Sequence, residues 1–175
     1  MVFNTQLKME NKVFRITKAL LASRSQRVLN LTIDLGVQYI IWVSIMETVI
    51  IILSLSHYYA FSERIKMMGL LPQILSGGLV MFFYYAFMEM YFSRTVAKYF
   101  TKTLVVTRNG TKPNGFTIMT RTACRLIPFE FFSFFSSNSR GWHDTLSLTY
   151  VVKKEKFNDR MRLFYPADQI GDNLI

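Results

Sequence analysis

Apolar and polar positions fall in long blocks along this chain, not in the short periods of a soluble domain. Residues 30–55 are almost continuously apolar, and so are residues 70–92. At about 1.5 Å of rise per residue, either block is long enough as a helix to cross the roughly 30 Å hydrocarbon core of a bilayer. The pattern predicts two transmembrane helices. The first is not a cleaved signal peptide, whose apolar stretch of roughly 7–15 residues would end at a small-residue cleavage site. In the second, Pro72 falls near the start, where a missing N–H costs least, and Gly77-Gly78 would let another helix approach closely.

Outside these blocks the periods change. Residues 3–21 carry Leu7, Val13, Phe14, Ile16, Leu20 and Leu21 near helical spacing, with lysines and Arg15 between. They predict an amphipathic helix on the inner leaflet, with a flexible basic tail as the alternative. Thr103–Thr107 is β-branched and leads into Asn109-Gly110, a strong hairpin signal. Residues 148–154 form a second such run, and Asn158-Asp159 offers a turn into a third over 160–165. Pro113 restricts any strand leaving the first turn to an edge. Residues 117–136 are ambiguous: the second half is as apolar as a span, but Arg121 and Arg125 occupy the first half and Pro128 breaks it. An interfacial or half-inserted helix is expected there, because a full crossing would carry Lys153-Lys154 to the outside.

The fold expected is an α-helical membrane protein with two full transmembrane helices, a third interfacial or half-inserted helix, and a small cytoplasmic β-hairpin or sheet of two to three strands. Its parts are a basic amphipathic amino-terminal segment over 1–29, a membrane domain over 30–152 and a cytoplasmic tail over 153–175. Spans are placed at about 30–55 and 70–92, and the interfacial helix at about 117–136.

Charge sets the orientation. The 175 residues carry a net charge of +10, concentrated in the flanks of the apolar blocks. Lys8, Lys12, Arg15, Lys18, Arg24 and Arg27 precede the first block against Glu10 alone. Arg94, Lys98, Lys102, Arg108 and Lys112 follow the second with no acid among them, while the connection between the blocks has only Arg64 and Lys66 against Glu63. The positive-inside rule puts both ends in the cytoplasm, with anionic lipid of the inner leaflet as a partner. Basic residues so segregated suit a bilayer, not a nucleic acid. A single cysteine, Cys124, excludes an internal disulfide, and with only His57 and His143 beside it a zinc site is not expected. Phosphate loops, nucleophile elbows and metalloprotease pairs are missing, so neither an enzyme nor a cofactor is expected.

Three acids lie within the spans, and intramembrane ionisable residues point to function by default. Asp34 comes about 6 Å into the first span and Glu89 just before the end of the antiparallel second, which places both at a shallow cytoplasmic depth. Arg27 lies two turns before Asp34 on its face. Lys98, Arg121 and Arg125 can reach the same level. Two readings follow: a buried charge network that pins helices together, or an inward-facing ion or proton site. Glu47 lies about 20 Å beyond Asp34 on nearly the opposite face, so Asp34 and Glu47 are candidate inner and outer stations of a proton or ion path, or Glu47 marks an oligomer contact. In Trp142-His143-Asp144 the tryptophan suits the membrane interface, and adjacent side chains of a dipeptide ordinarily diverge.

At these residues the chain resembles the RDD family of bacterial membrane proteins, named for an arginine and two aspartates. Arg27 and Asp34 match the family's arginine and first aspartate, and Asp144 in Trp142-His143-Asp144 matches the second. Tyr84-Tyr85 with Glu89 matches the end of the family's second span. Thr95, Lys98, Arg121, Arg125, Ile127-Pro128-Phe129-Glu130 and Thr149-Tyr150-Val151-Val152 match further on. Ser93 and Ala97 stand where the family has glycines, so a tight glycine turn is not expected and the second helix is expected to run on into the cytoplasm. The resemblance implies a polytopic protein of the bacterial inner membrane and suggests ion or small-solute transport, with ion–proton exchange, by an oligomer. A non-transporting scaffold or subunit of a membrane complex is the competing class.

Overall fold

A capping box starts the first long helix. The Ser23 hydroxyl accepts from the Gln26 N–H at 3.2 Å, and the Gln26 side chain accepts from the Ser23 N–H at 3.0 Å. Helix α1, Arg24–Leu55, therefore begins ahead of the apolar block and is about 48 Å long. The structure is a computed structural model that describes residues 14–127, 133 and 140–165. Residues 3–13 of the expected amphipathic helix, 128–132 and 134–136 of the expected interfacial helix (Pro128 included), and 166–175 of the tail lie outside the described residues.

A short helix α2, Tyr59–Lys66, connects α1 to α3, Leu70–Phe92, which returns antiparallel. Both α1 and α3 have the length and hydropathy of membrane spans. Their burial is inverted relative to a soluble helix. On α1 the buried residues are Arg27, Asn30, Asp34 and Gln38, one stripe at helical spacing, and on α3 they are Tyr84, Tyr85, Ala86 and Glu89. Large apolar side chains such as Ile40, Leu55, Leu70 and Phe83 point outward, as lipid requires. Trp42 Nε1 donates to Ser76 Oγ at 2.9 Å and ties the spans together farther out. The glycines are not what brings the helices together within the chain: a Cβ at Gly77 would meet nothing within 4 Å, and one at Gly78 only Leu126 at 3.8 Å.

Contrary to expectation, the second span does not continue as a helix past Phe92. It stops at Ser93, which takes the left-handed conformation at φ 55°, and a new short helix α4, Val96–Phe100, starts behind Thr95. The tight turn thus forms without glycine, because Asp34 and Tyr84 hold the start of α4 in place. Ser93 pays for this in backbone strain, and its buried hydroxyl has no hydrogen-bond partner among the described residues. Ser93→Gly should therefore raise the unfolding temperature, with a net gain of about 0.5–1 kcal/mol once glycine's extra unfolded-state entropy is subtracted. A thermal scan of the two purified proteins checks it.

Strands β1, Thr103–Thr107, and β2, Thr149–Lys153, pair antiparallel with Thr103 opposite Lys153. They are not a hairpin. A turn does form at Asn109-Gly110, with Gly110 at φ 81° and its N–H bonded to Thr107 O at 3.0 Å, but the chain then passes Pro113 into helix α5. Asn114 caps α5, Gly115–Arg125, by accepting from Thr117 N–H at 2.8 Å. A one-turn helix α6, Trp142–Leu146, precedes β2. The expected third strand over 160–165 does not form: residues 160–164 belong to helix α7, Lys154–Phe164. Phe157 and Met161, four apart, bury themselves on the sheet, and that helical period overrides the turn signal of Asn158-Asp159.

The sheet has two different faces. Leu104, Val106 and Val152 pack against Phe14, Leu20, Phe157 and Met161 in a small core outside the spans. Phe14 meets Phe157 and Phe164 edge-on, at 5.8 and 5.3 Å between ring centroids. The described end of the amino-terminal stretch is accordingly not an amphipathic helix: it has a single 3-10 turn, Lys18–Leu20, and Ala22 N–H bonds Val151 O at 2.9 Å. Its apolar side chains face the sheet, not lipid. The other face carries Thr103, Thr149 and Val151, which turn toward the polar stripe of the spans.

Candidate functional site: a buried charge cluster

Between that second face and the Arg27 and Glu89 ends of the spans lies a cluster of ionised side chains. Glu89 of α3 is fully buried and meets three cations: Lys98 Nζ at 2.6 Å, Arg121 Nε at 2.9 Å and Arg125 Nη2 at 3.2 Å. Asp144 of α6, also fully buried, pairs with Arg27 and with Arg121 Nη1 at 2.6 Å. Arg121 thus bridges the two acids, and its Nη1 also donates to Thr149 Oγ1 at 2.6 Å. A planar guanidinium with donors on several edges suits that bridging. The Arg125 guanidinium lies 3.8 Å from the centre of the Tyr85 ring, a cation–π contact.

Asp34 behaves differently. It makes no ion pair with a cation among the described residues. Its Oδ1 accepts from Tyr84 Oη at 2.8 Å and from Ala97 N–H at 3.2 Å, and its Oδ2 accepts from Thr95 Oγ1 at 2.7 Å. The carboxylate caps the N-terminus of α4 from another helix, while Tyr84 Oη accepts in turn from Val96 N–H at 3.2 Å. Beside it, Asn30 joins span to sheet by donating to Thr103 Oγ1 at 3.2 Å and accepting from Thr101 Oγ1 at 2.6 Å.

Local helix geometry explains who is included. On α5 the buried residues Ile118, Arg121 and Thr122 share one face, while Phe116 and Met119 on the other side, and Leu126 and Ile127 just past its end, are exposed. The charged Arg121 is inside and the apolar side chains are outside. His143 and Asp144 do not diverge: His143 Nε2 lies 3.3 Å from Asp144 Oδ1. Trp142 is half exposed, and its backbone N–H donates to Ser133 Oγ at 3.1 Å. Burial alone would push the Asp144 carboxyl up, but Arg121, His143 and Arg27 outweigh it and hold it well below the usual carboxylate range. Burial pushes the Lys98 ammonium down to about 8 in spite of Glu89 beside it.

The structure brings Arg27, Asp34, Glu89, Thr95, Lys98, Arg121, Arg125, His143 and Asp144 together. Glu47 is elsewhere: it is exposed on α1 and lines a separate cavity of about 240 Å³ with Trp42, Lys66 and Gln73. Asp34 and Glu47 line different cavities. The sequence reading passed over Asn30, Thr101, Thr103 and Arg140 as cluster members. Arg140 stacks 4.2 Å over Tyr150 and donates to the Asp144 and Thr149 carbonyls at 3.2 Å. Neutral hydroxyls and an amide give no signal in a charge pattern. No group of His, Cys, Asp and Glu among the described residues is arranged to hold a metal ion.

The RDD family model matches residues 21–147, which spans every residue of the cluster except Thr149. The chain matches no curated protein and no solved structure.

Proposed function

The chain belongs to the RDD family, and from that premise we propose that it is a scaffold subunit of a membrane complex, in which the cluster fastens a small cytoplasmic platform to two membrane spans. The observation that carries this is saturation. Asp34, Glu89 and Asp144 are all at most 2 % exposed, and their partners come from α1, α3, α4, α5 and α6. A carboxylate that exchanges ions needs a lone pair free of protein partners, and the oxygens of these acids are already engaged by theirs. Breaking one partner out of a buried pair costs about 3–5 kcal/mol, which suits a fastening and not a turnover site. The orientation that goes with this reading has both termini in the cytoplasm of a bacterial cell and the spans in its inner membrane. Anionic lipid lies against the basic flanks, and a second copy or another subunit covers the outward faces.

Glu47 favours a second reading, transport of an ion or small solute by an oligomer with ion–proton exchange. It is an acid within an apolar span, with no ion pair among the described residues, and it lines a cavity. One set of measurements separates the two. The full chain in proteoliposomes, with Asp34→Asn and Glu47→Gln alongside, is assayed for ion-gradient-driven flux and for unfolding temperature. The scaffold reading expects no flux above protein-free liposomes and a lowered unfolding temperature for Asp34→Asn alone. Flux that Asp34→Asn or Glu47→Gln abolishes at unchanged unfolding temperature would overturn it in favour of transport.

A further inference from the structure

Contacts along its length set helix α5 in register with the span α3. Lys112, just ahead of α5, donates from Nζ to the Tyr91 carbonyl at 3.2 Å. Arg121 Nε meets Glu89 at 2.9 Å, and the Arg125 guanidinium stacks on the Tyr85 ring at 3.8 Å. Past the last turn, a Cβ on Gly78 would meet the Leu126 side chain at 3.8 Å. Positions rise along α5 as their partners fall along α3, so α5 runs antiparallel to the span, from its Phe92 end toward its middle. Tyr91 to Gly78 is about 20 Å of helix, and Gly78 lies past the midpoint of α3. The 11 residues of α5 are about 16 Å long, half of what crossing a roughly 30 Å hydrocarbon core takes.

The exposed face of α5 reads Phe116, Met119 and Ala123, and Leu126 and Ile127 continue it past the end, an apolar stripe at helical spacing. Phe116 is 81 % exposed, while Arg121 and Thr122 are buried. A helix in water has the reverse arrangement, with its apolar stripe toward the core. The spans α1 and α3 have the arrangement of α5, polar inside and apolar outside. Hydroxyls are handled alike too. Thr120 Oγ1 donates to the Phe116 carbonyl at 3.0 Å, four residues back, as Thr32, Ser44 and Thr48 do within α1. In hydrocarbon a hydroxyl finds no water and bonds its own helix.

We propose that α5 is a half-membrane helix, standing beside α3 in the Glu89-side half of the bilayer with Phe116, Met119, Ala123, Leu126 and Ile127 against lipid acyl chains. Where α3 crosses the bilayer, a helix in register with it from Tyr91 to Gly78 is inside the bilayer as well. Phe116 is then nearest the headgroups and Ile127 nearest the midplane. Lipid, not a second subunit, covers this face, because the stripe carries no charge and no spare donor for a partner to recognise. In this position α5 delivers Arg121 and Arg125 to Glu89 and shields that carboxylate from the acyl chains. The placement holds for a scaffold and for a transporter alike.

The test is the depth of nitroxide labels on the full chain in liposomes of phosphatidylcholine and phosphatidylglycerol. Cys124 is the single cysteine of the chain, so Cys124→Ser gives a background in which Phe116→Cys, Ala123→Cys and Ile127→Cys are labelled one at a time. Collision with oxygen, which concentrates among acyl chains, and with a water-soluble nickel chelate reports the depth of each label. Depth should increase in the order Phe116, Ala123, Ile127, with about 10–16 Å between the first and the last and oxygen dominant at the deeper two. Equal depths at the three positions would mean a helix lying flat at the interface and overturn the proposal. Chelate dominant at Ala123 and Ile127 would put the face in water, and labels shielded from both reagents would put a protein partner on it; either result overturns the proposal. Phe116 and Ala123, two turns apart, carry the comparison where Ile127→Cys does not fold.

Discussion

Glu89→Gln should leave little folded protein in the membrane, and what is purified should unfold at a much lower temperature. Lys98, Arg121 and Arg125 all converge on this carboxylate, which has no exposure of its own. An amide keeps the shape but removes the charge, and its NH₂ group turns two donors toward groups that are all donors. Lys98 and Arg121 have almost no solvent exposure of their own. Removing one partner of a buried pair typically costs about 3–5 kcal/mol, and a domain's whole stability is roughly 5–15 kcal/mol. Glu63→Gln is the matched control. Glu63 pairs with Lys66 at 2.8 Å, but both side chains are about half exposed, and such pairs contribute about 0–1 kcal/mol. Yield and unfolding temperature of the two variants, measured side by side, check the difference. An unfolding temperature for Glu89→Gln as close to wild type as that of Glu63→Gln would mean that the cluster fastens nothing.

The parts that could be read from the sequence were those in which a single physical demand acts on consecutive residues. A helix in lipid must be apolar for about 20 residues, so the spans stood out, and α3 has the bounds of its apolar block. Helix rise alone put Asp34 and Glu89 level with each other, and both meet residues of α4. What failed was decided by partners distant in sequence. Asn109-Gly110 signalled a hairpin, yet the partner of β1 comes only after α5 and α6, and a local turn carries no information on that. Residues 160–165 looked like a strand because the burial of Phe157 and Met161 against Phe14 was invisible without the fold. Ser93 was the subtler case. A missing glycine argued for a continuous helix, but the energy that holds the turn comes from Asp34, about sixty positions away. Asp34 itself was expected among the cations, whereas its partners are a tyrosine, a threonine and a backbone N–H, all neutral.

Arg121→Met should be as damaging as Glu89→Gln, and the pair together should cost less than the sum of the two. Arg121 is the largest fully buried side chain among the described residues, and it alone touches both Glu89 and Asp144. Methionine fills much of the volume without the charge, so the loss is electrostatic, not a cavity. In the single variant, Asp144 keeps Arg27 and Glu89 keeps Lys98 and Arg125, but the two acids then face each other across the gap without the guanidinium between them. In the double variant one charge of each sign is gone, so the net charge of the cluster is the same as in the wild type. A coupling energy of about 1–3 kcal/mol is expected from the cycle of wild type, both singles and the double. Arg121→Lys distinguishes geometry from charge in the same set. A lysine ammonium reaches one acid and cannot span both, so it should recover only part of the loss. Additive losses in the cycle, or full recovery by lysine, would mean that Arg121 acts as a local charge and not as the bridge between α3 and α6.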